Sequence, residues 1–331
     1  MTLLYAVGGS QKADASHKTR EFHHYASALI ISLDTESGRL ERLAEHVTPA
    51  DACPMDEDPS ITFKTATLED GKLYVPTQTE LLVYDVPSFK RRAYISLPCM
   101  NDVHHVRPAP DGTMYVANTG LDTVLQLAGD GTVLREWNVL GEDTWSRFSR
   151  DVDYRKVVST KPHHSHPNHV FFVDGDVWVT RCNQHDAFCL TREQPPIPIA
   201  EVSIHDGGIR HGDKLYFTGV NGEVIVVDAK EKRVLSRHDL HAIGGGGPPL
   251  GWCRGIEVLG EDLVAVGFSR LRPTKWTENV RWVKHKLGGK GADLRPTRIG
   301  IYDLKADRLV KDIDLEPAGM NVVFSVHRVG T

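Results

Sequence analysis

The sequence predicts an all-β chain: a six-bladed β-propeller with four antiparallel strands per blade, the first blade closed by strands from both termini. Three observations carry this. Short runs rich in Val, Ile, Leu, Phe and Tyr alternate with Asp-Gly, Gly-Asp and Asn-Gly turns, and helical periodicity is scarce. The turns recur ahead of similar strands: Asp70-Gly71 before Lys72–Val75, Asp111-Gly112 before Thr113–Val116, Asp174-Gly175 before Asp176–Val179, Gly212-Asp213 before Lys214–Phe217, and Gly260-Glu261 before Asp262–Ala265. The unit length is roughly 40 residues, the period of a four-stranded blade.

Five units begin near residues 61, 103, 168, 206 and 254. In three of them the third strand ends alike, at Val83-Tyr-Asp85, Val226-Val-Asp228 and Ile301-Tyr-Asp303. The N-terminal part offers strands Leu3–Val7, Ala28–Asp34 and Gly38–Leu43, one short of a blade, and Asn321–Arg328 offers the missing one. Joining them makes the sixth blade and leaves no open sheet edge in the ring. The whole of 1–331 then forms a single domain, with insertions near 9–26, 44–60, 140–167, 241–252 and 270–297. The stretch 140–167 has room for a short helix. The 270–297 insertion is basic and reads equally as a lid that attracts an anionic substrate and as a solvated loop or subunit contact, the latter in a homo-oligomer.

Composition narrows the function classes. A formal net charge of -5 argues against a general nucleic-acid binder. No apolar run approaches the ~18 residues that span a bilayer, and the start of the chain lacks the basic region and long apolar run of a signal peptide. Five cysteines, none in a CxxC pair, read as reduced thiols of a cytoplasmic protein.

The first strand of a propeller blade faces the axis, so its opening residues line one mouth of the channel. Taking Tyr74, Tyr115, Trp178, Tyr216 and Val264 as a ruler, ten residues upstream lie Lys64, His105, Asn168, Asp206 and Arg254. Eleven upstream lie Phe63, His104, Pro167, His205 and Cys253. Just before Asn168 comes Lys161-Pro-His-His-Ser-His-Pro-Asn-His-Val170, with four histidines in seven residues. Imidazoles converging from several blades suit a divalent transition metal, Mn, Fe, Zn or Cu, more than Ca or Mg. The expected ligands are His105, His166 and His205, with the choices between His104 and His105, and between His166 and His169, left open. His205, Asp206 and His169 are the candidate proton carriers. Lys64, Asn168, Arg254 and Arg270 are the candidate substrate-binding residues, the cations meeting a carboxylate, phosphate or sulfate. Trp252 is placed to wall the pocket. Asp102-Val-His-His105 and His205-Asp206 also suggest a nucleophilic triad, but no GxSxG elbow accompanies them.

Three segments carry a resemblance: His166-Pro-Asn168, His205-Asp-Gly-Gly, and Arg254-Gly255 with Val266-Gly-Phe-Ser-Arg-Leu-Arg272. Over residues 160–275 these resemble an uncharacterised bacterial propeller family, a domain of unknown function that brings no settled activity. More distantly the chain is similar to streptogramin-lyase and NHL-type propellers. The streptogramin-lyase resemblance implies channel histidines, a carboxylate and a divalent metal used for an elimination, and oligogalacturonate lyases likewise hold a metal with propeller histidines. The expectation is therefore a metal-dependent enzyme acting on an anionic small molecule, a lyase first, then a hydrolase or oxygenase. The alternative is a non-catalytic propeller that binds a protein or glycan partner.

Overall fold

The computed structural model describes residues 2–13, 23–54, 57–271 and 295–330. Most of the basic insertion and the N-terminal His17 lie outside the described residues. Six four-stranded antiparallel sheets follow one another around an axis. The first blade runs outward through β24 (Val322–Arg328), β1 (Leu3–Gln11), β2 (Tyr25–Asp34) and β3 (Leu40–His46). The second comprises β4 (Thr67–Glu69), β5 (Lys72–Pro76), β6 (Leu81–Asp85) and β7 (Lys90–Ile95), the third β8 (Val103–Pro108), β9 (Met114–Asn118), β10 (Thr123–Leu127) and β11 (Val133–Asn138). The fourth holds β12 (Pro167–Val173), β13 (Asp176–Arg181), β14 (Asp186–Cys189) and the two-residue β15 (Ile197–Pro198). The fifth is β16 (Ile204–His211), β17 (Lys214–Gly219), β18 (Glu223–Asp228) and β19 (Val234–Asp239), and the sixth β20 (Trp252–Val258), β21 (Leu263–Ser269), β22 (Arg298–Asp303) and β23 (Arg308–Asp314).

The repeating turn has a conformational cause. Asp70 and Gly71 have φ of 49° and 67°, and Asp174 and Gly175 have 53° and 83°. Two consecutive left-handed residues make the hairpin turn whose twist matches that of the flanking strands, and Asp-Gly meets that demand at little cost. Alternating apolar residues then pack between neighbouring blades. Val7 and Ile30 of the first blade, for example, join Leu73, Val75 and Leu82 of the second around the fully buried Phe63.

One boundary differs from expectation. The second blade's inner strand starts at Thr67 rather than near residue 61, because the preceding backbone is shared: Lys64 N donates to Pro76 O of its own sheet, while the residues on either side turn to other blades. Phe63 N donates to Gly8 O, and Thr65 N donates to His104 O. The 140–167 insertion does contain a short helix, α1 (Thr144–Arg147). A second, α2 (Leu240–Ile243), follows β19. No described helix is long and apolar enough to cross a membrane, and all five cysteines are unpaired.

Ring closure rests on β1 pairing with β24, from Leu4 opposite Arg328 to Gly9 opposite Val322. At Gly8 the strands approach so closely that a Cβ would sit 1.8 Å from the Val322 carbonyl oxygen. Gly8→Ala is therefore expected to force the closing strands apart and cost about 1–3 kcal/mol. Thermal unfolding checks this, and an unchanged midpoint would mean the seam yields easily.

Candidate functional site

At one mouth of the channel the inner strands surround a cavity of about 260 Å³. Lys64, His104, Asn168, His205, Arg254 and Phe324 reach it from all six blades, and the 160s loop adds Lys161 and His166. Asn168 also donates through Nδ2 to Ile204 O at 3.0 Å, tying β12 to β16. Trp252 forms part of the wall, as expected. Phe324 is an aromatic floor for the cations: the Lys64 ammonium lies 4.9 Å from its ring centre and the Arg254 guanidinium 4.1 Å.

Asp102 balances part of this charge. Its Oδ1 lies 3.3 Å from Lys64 Nζ and 3.4 Å from His104 Nε2. Burial opposes ionisation of Asp102, but the two neighbours outweigh it and hold its carboxyl well below the usual range. Burial pulls Lys64 down, aided by Arg254 and opposed by Asp102. Burial also lowers His104 to about 4 and holds His166 and His205 well below the ordinary histidine value, Arg254 adding to the effect at His205. All three imidazoles are neutral at pH 7, so each keeps a nitrogen lone pair for a proton or a metal.

The histidine-rich loop is shaped by a residue the sequence did not single out. The buried Asp122 carboxylate accepts from the backbone N–H of His164 (2.8 Å), Ser165 (3.0 Å) and His166 (2.8 Å), and pairs with Arg147 at 3.0 Å. This wraps the loop around one anion and sets His166 in the left-handed region, φ 60°. The result brings His163 Nδ1 within 2.7 Å of His166 Nδ1.

The sequence-predicted residues divide by depth. His104, not His105, faces the cavity. His105 Nδ1 accepts from Val170 N at 3.0 Å, and its Nε2 is 3.0 Å from Thr67 Oγ1, whose own proton goes to Val106 O. Nε2 therefore carries the proton, and His105 has no lone pair left for the metal expected of it. His169 stacks on His105 with ring centres 3.7 Å apart. Asp206 lies beside it below the cavity, accepting from Thr65 Oγ1 at 2.8 Å and Gly255 N at 2.6 Å. Each carboxylate oxygen thus accepts one bond that ties Asp206 to another blade. Arg270 does not line the cavity and pairs with Glu316 at 3.3 Å.

A fixed ruler mixes these layers because the inner strands are bulged differently. One bulge falls between Val103 and His105, one between Arg254 and Ile256, but β16 has two, at Ile204/Asp206 and Gly207/Ile209. Each bulge adds a residue without advancing the register, so the cavity-facing position shifts by one from blade to blade.

Further along the same strands is a second cavity of about 30 Å³, lined by His169, Asp206, Glu257 and His327 among others. Burial pushes the Glu257 carboxyl up to about 7, partly offset by Arg328. A raised carboxyl means the folded protein binds more protons, so this group's contribution to stability falls as pH rises from about 4.5 to 7. Glu257→Gln should flatten that dependence and raise stability at pH 8 by on the order of 2 kcal/mol, measured by urea unfolding across pH. Equal slopes for both proteins would contradict the assignment. For the loop, Asp122→Ala leaves three N–H groups without their acceptor. Amide exchange at His164, Ser165 and His166 should quicken at least ~10-fold, corresponding to about 1.4 kcal/mol of lost protection.

No protein-family model and no curated relative matches the chain. Among solved structures it is similar to a protein of unknown function from Bacteroides caccae, with a TM-score of 0.62 and 10% identity over 100% of both chains. The C-terminal WD40 domain of Sif2 is less similar, with a TM-score of 0.47 and 10% identity over 98% of this chain and 84% of that one. The Neurospora crassa Pan2 WD40 domain gives 0.46 and 12%, over 81% and 68%. At these identities the likeness to the Bacteroides protein extends to the fold alone, and the fold here is a six-bladed β-propeller.

Proposed function

We propose that the channel mouth is the active site of an enzyme acting on a small organic anion. The observation that carries this is the charge of the cavity: among the described residues, Lys64, Lys161 and Arg254 stand against Asp102 as the single carboxylate in the lining. Lys64 and Arg254 sit over one aromatic ring, so a carboxylate or phosphate placed there meets both cations away from bulk water. A cavity of about 260 Å³ suits a compact metabolite rather than a polymer.

The neutral imidazoles supply the chemistry. His205 lies within 6.4 Å of the Phe324 ring centre that the cations share, and is placed to take a proton from the carbon beside a bound carboxylate. In an elimination the C–H electron pair becomes the new C=C bond, and the leaving group departs with its own pair, taking a proton from the His205 imidazolium just formed or from water. Elimination is the first reading because the cations stabilise the negative charge that builds on the carboxylate as the proton leaves. Asn168 and Trp252 orient the substrate body.

Calorimetry against a panel of small hydroxy-carboxylates and phosphate esters tests the site. A binding anion should lose at least ~30-fold in affinity in Arg254→Gln and in Lys64→Met, matching about 2 kcal/mol or more for a removed buried charge partner. His205→Asn should retain binding and lose turnover, read as the ultraviolet absorbance of the unsaturated product. Binding indifferent to both cation substitutions would overturn the reading.

A further inference from the structure

We infer that Asp102, His163 and His166 form a site for one divalent first-row transition metal on the wall of this cavity. Among the described residues these three place one candidate ligand atom each within 4.8 Å of one another. The site differs from the one the sequence suggested: His166 is common to both, whereas His105 and His205 are replaced by Asp102 and His163.

Hydrogen bonding fixes where the protons are. Thr160 Oγ1 donates to Gly120 O at 2.5 Å, so its contact with His163 Nε2 at 3.3 Å is made by the imidazole's own N–H. His163 Nδ1 is then a bare lone pair, and it accepts the Nδ1–H of His166 at 2.7 Å. A metal ion takes the place of this shared proton. His166 moves its proton from Nδ1 to Nε2, both imidazoles stay neutral, and no proton is gained or lost overall. Tetrahedral ligation at ordinary metal–nitrogen lengths needs the two nitrogens about 3.3 Å apart, so the rings open by a few tenths of an ångström.

The surroundings match what such ligands need. The N–H of His163 on Thr160 locks the tautomer and ring orientation, as outer partners of ligating histidines do. Asp122 holds the loop from behind through three backbone N–H groups. Lys64 and His104 both contact Asp102 at Oδ1, so Oδ2 is spent on neither. Two imidazoles and one carboxylate leave coordination positions open, and Asp102 and His166 both line the cavity. The inference rests on the proposed anion site only in giving those open positions a use: an anion anchored by Lys64 and Arg254 would lie beside the metal, which would act there as a Lewis acid.

Titrating chelator-treated full-length protein with Co(II) alone, followed by visible d–d absorption, is the test. One Co(II) per chain should bind, with affinity lost at least 100-fold in Asp102→Asn and in His163→Asn, and within threefold of wild type in His205→Asn. Circular dichroism and melting of each variant separate lost ligation from lost folding, and His166→Asn stands in for either variant that does not fold. No stoichiometric Co(II), or affinity unchanged in these ligand variants, overturns the site. Anion calorimetry on the same chelated protein keeps the two readings apart: anion binding that depends on Lys64 and Arg254 without Co(II) binding leaves the anion site standing and removes the metal.

Discussion

A buried carboxylate on the axis, Asp206, is the point on which the inner ring depends. It belongs to the fifth blade, yet it accepts from Thr65 ahead of the second and from Gly255 of the sixth, and lies 3.6 Å from His169 of the fourth. Burial alone would favour its protonated form. The His169 and His205 imidazoles and the Gly255 N–H outweigh that, keeping the carboxyl well below its ordinary range. A buried anion of this kind stabilises only while its partners stay in place; removing one leaves an uncompensated charge, at a cost of about 3–5 kcal/mol. Four of the six blades are therefore held in one relative position at the level just beneath the cavity.

The belt continues through His105, which bonds Thr67 and Val170 and stacks on His169, and through Ser325, whose Oγ accepts from Ala66 N and contacts His327. These residues line the middle of the channel with polar groups, most of them hydrogen-bonded to one another, which rigidify a small core. Above them lie the side chains of the mouth, Lys64, His104, His205 and Arg254 among them. The division is one of depth: hydrogen-bonded polar groups below, the cavity-lining cations and imidazoles above.

The site draws its side chains from every blade but its shape from one loop and one strand. Asp122, in the third blade, wraps the 160s loop and so determines where His163 and His166 stand. Phe324, on the C-terminal strand that closes the ring, is the ring on which Lys64 and Arg254 lie. Closing the first blade therefore completes the cavity lining as well as the fold, which couples the cavity to the β1–β24 seam.

The blade repeat was legible in the sequence because Asp-Gly hairpins and alternating apolar strands are local properties, fixed by backbone conformation over a few residues. The polar character of the channel mouth was legible too, since Lys64, Asn168, His205 and Arg254 all sit at inner-strand openings. What only the tertiary structure decided was orientation. Whether His104 or His105 turns to the cavity depends on a bulge whose presence has no sequence signature here, and the two bulges of β16 separate His205 from Asp206 by the same means. Asp122 left no signal at all, because the loop N–H groups it holds lie more than 40 residues further on and meet it only when the third and fourth blades pack. Periodicity reports which residues share a strand; bulges and inter-blade packing decide which of them share a site.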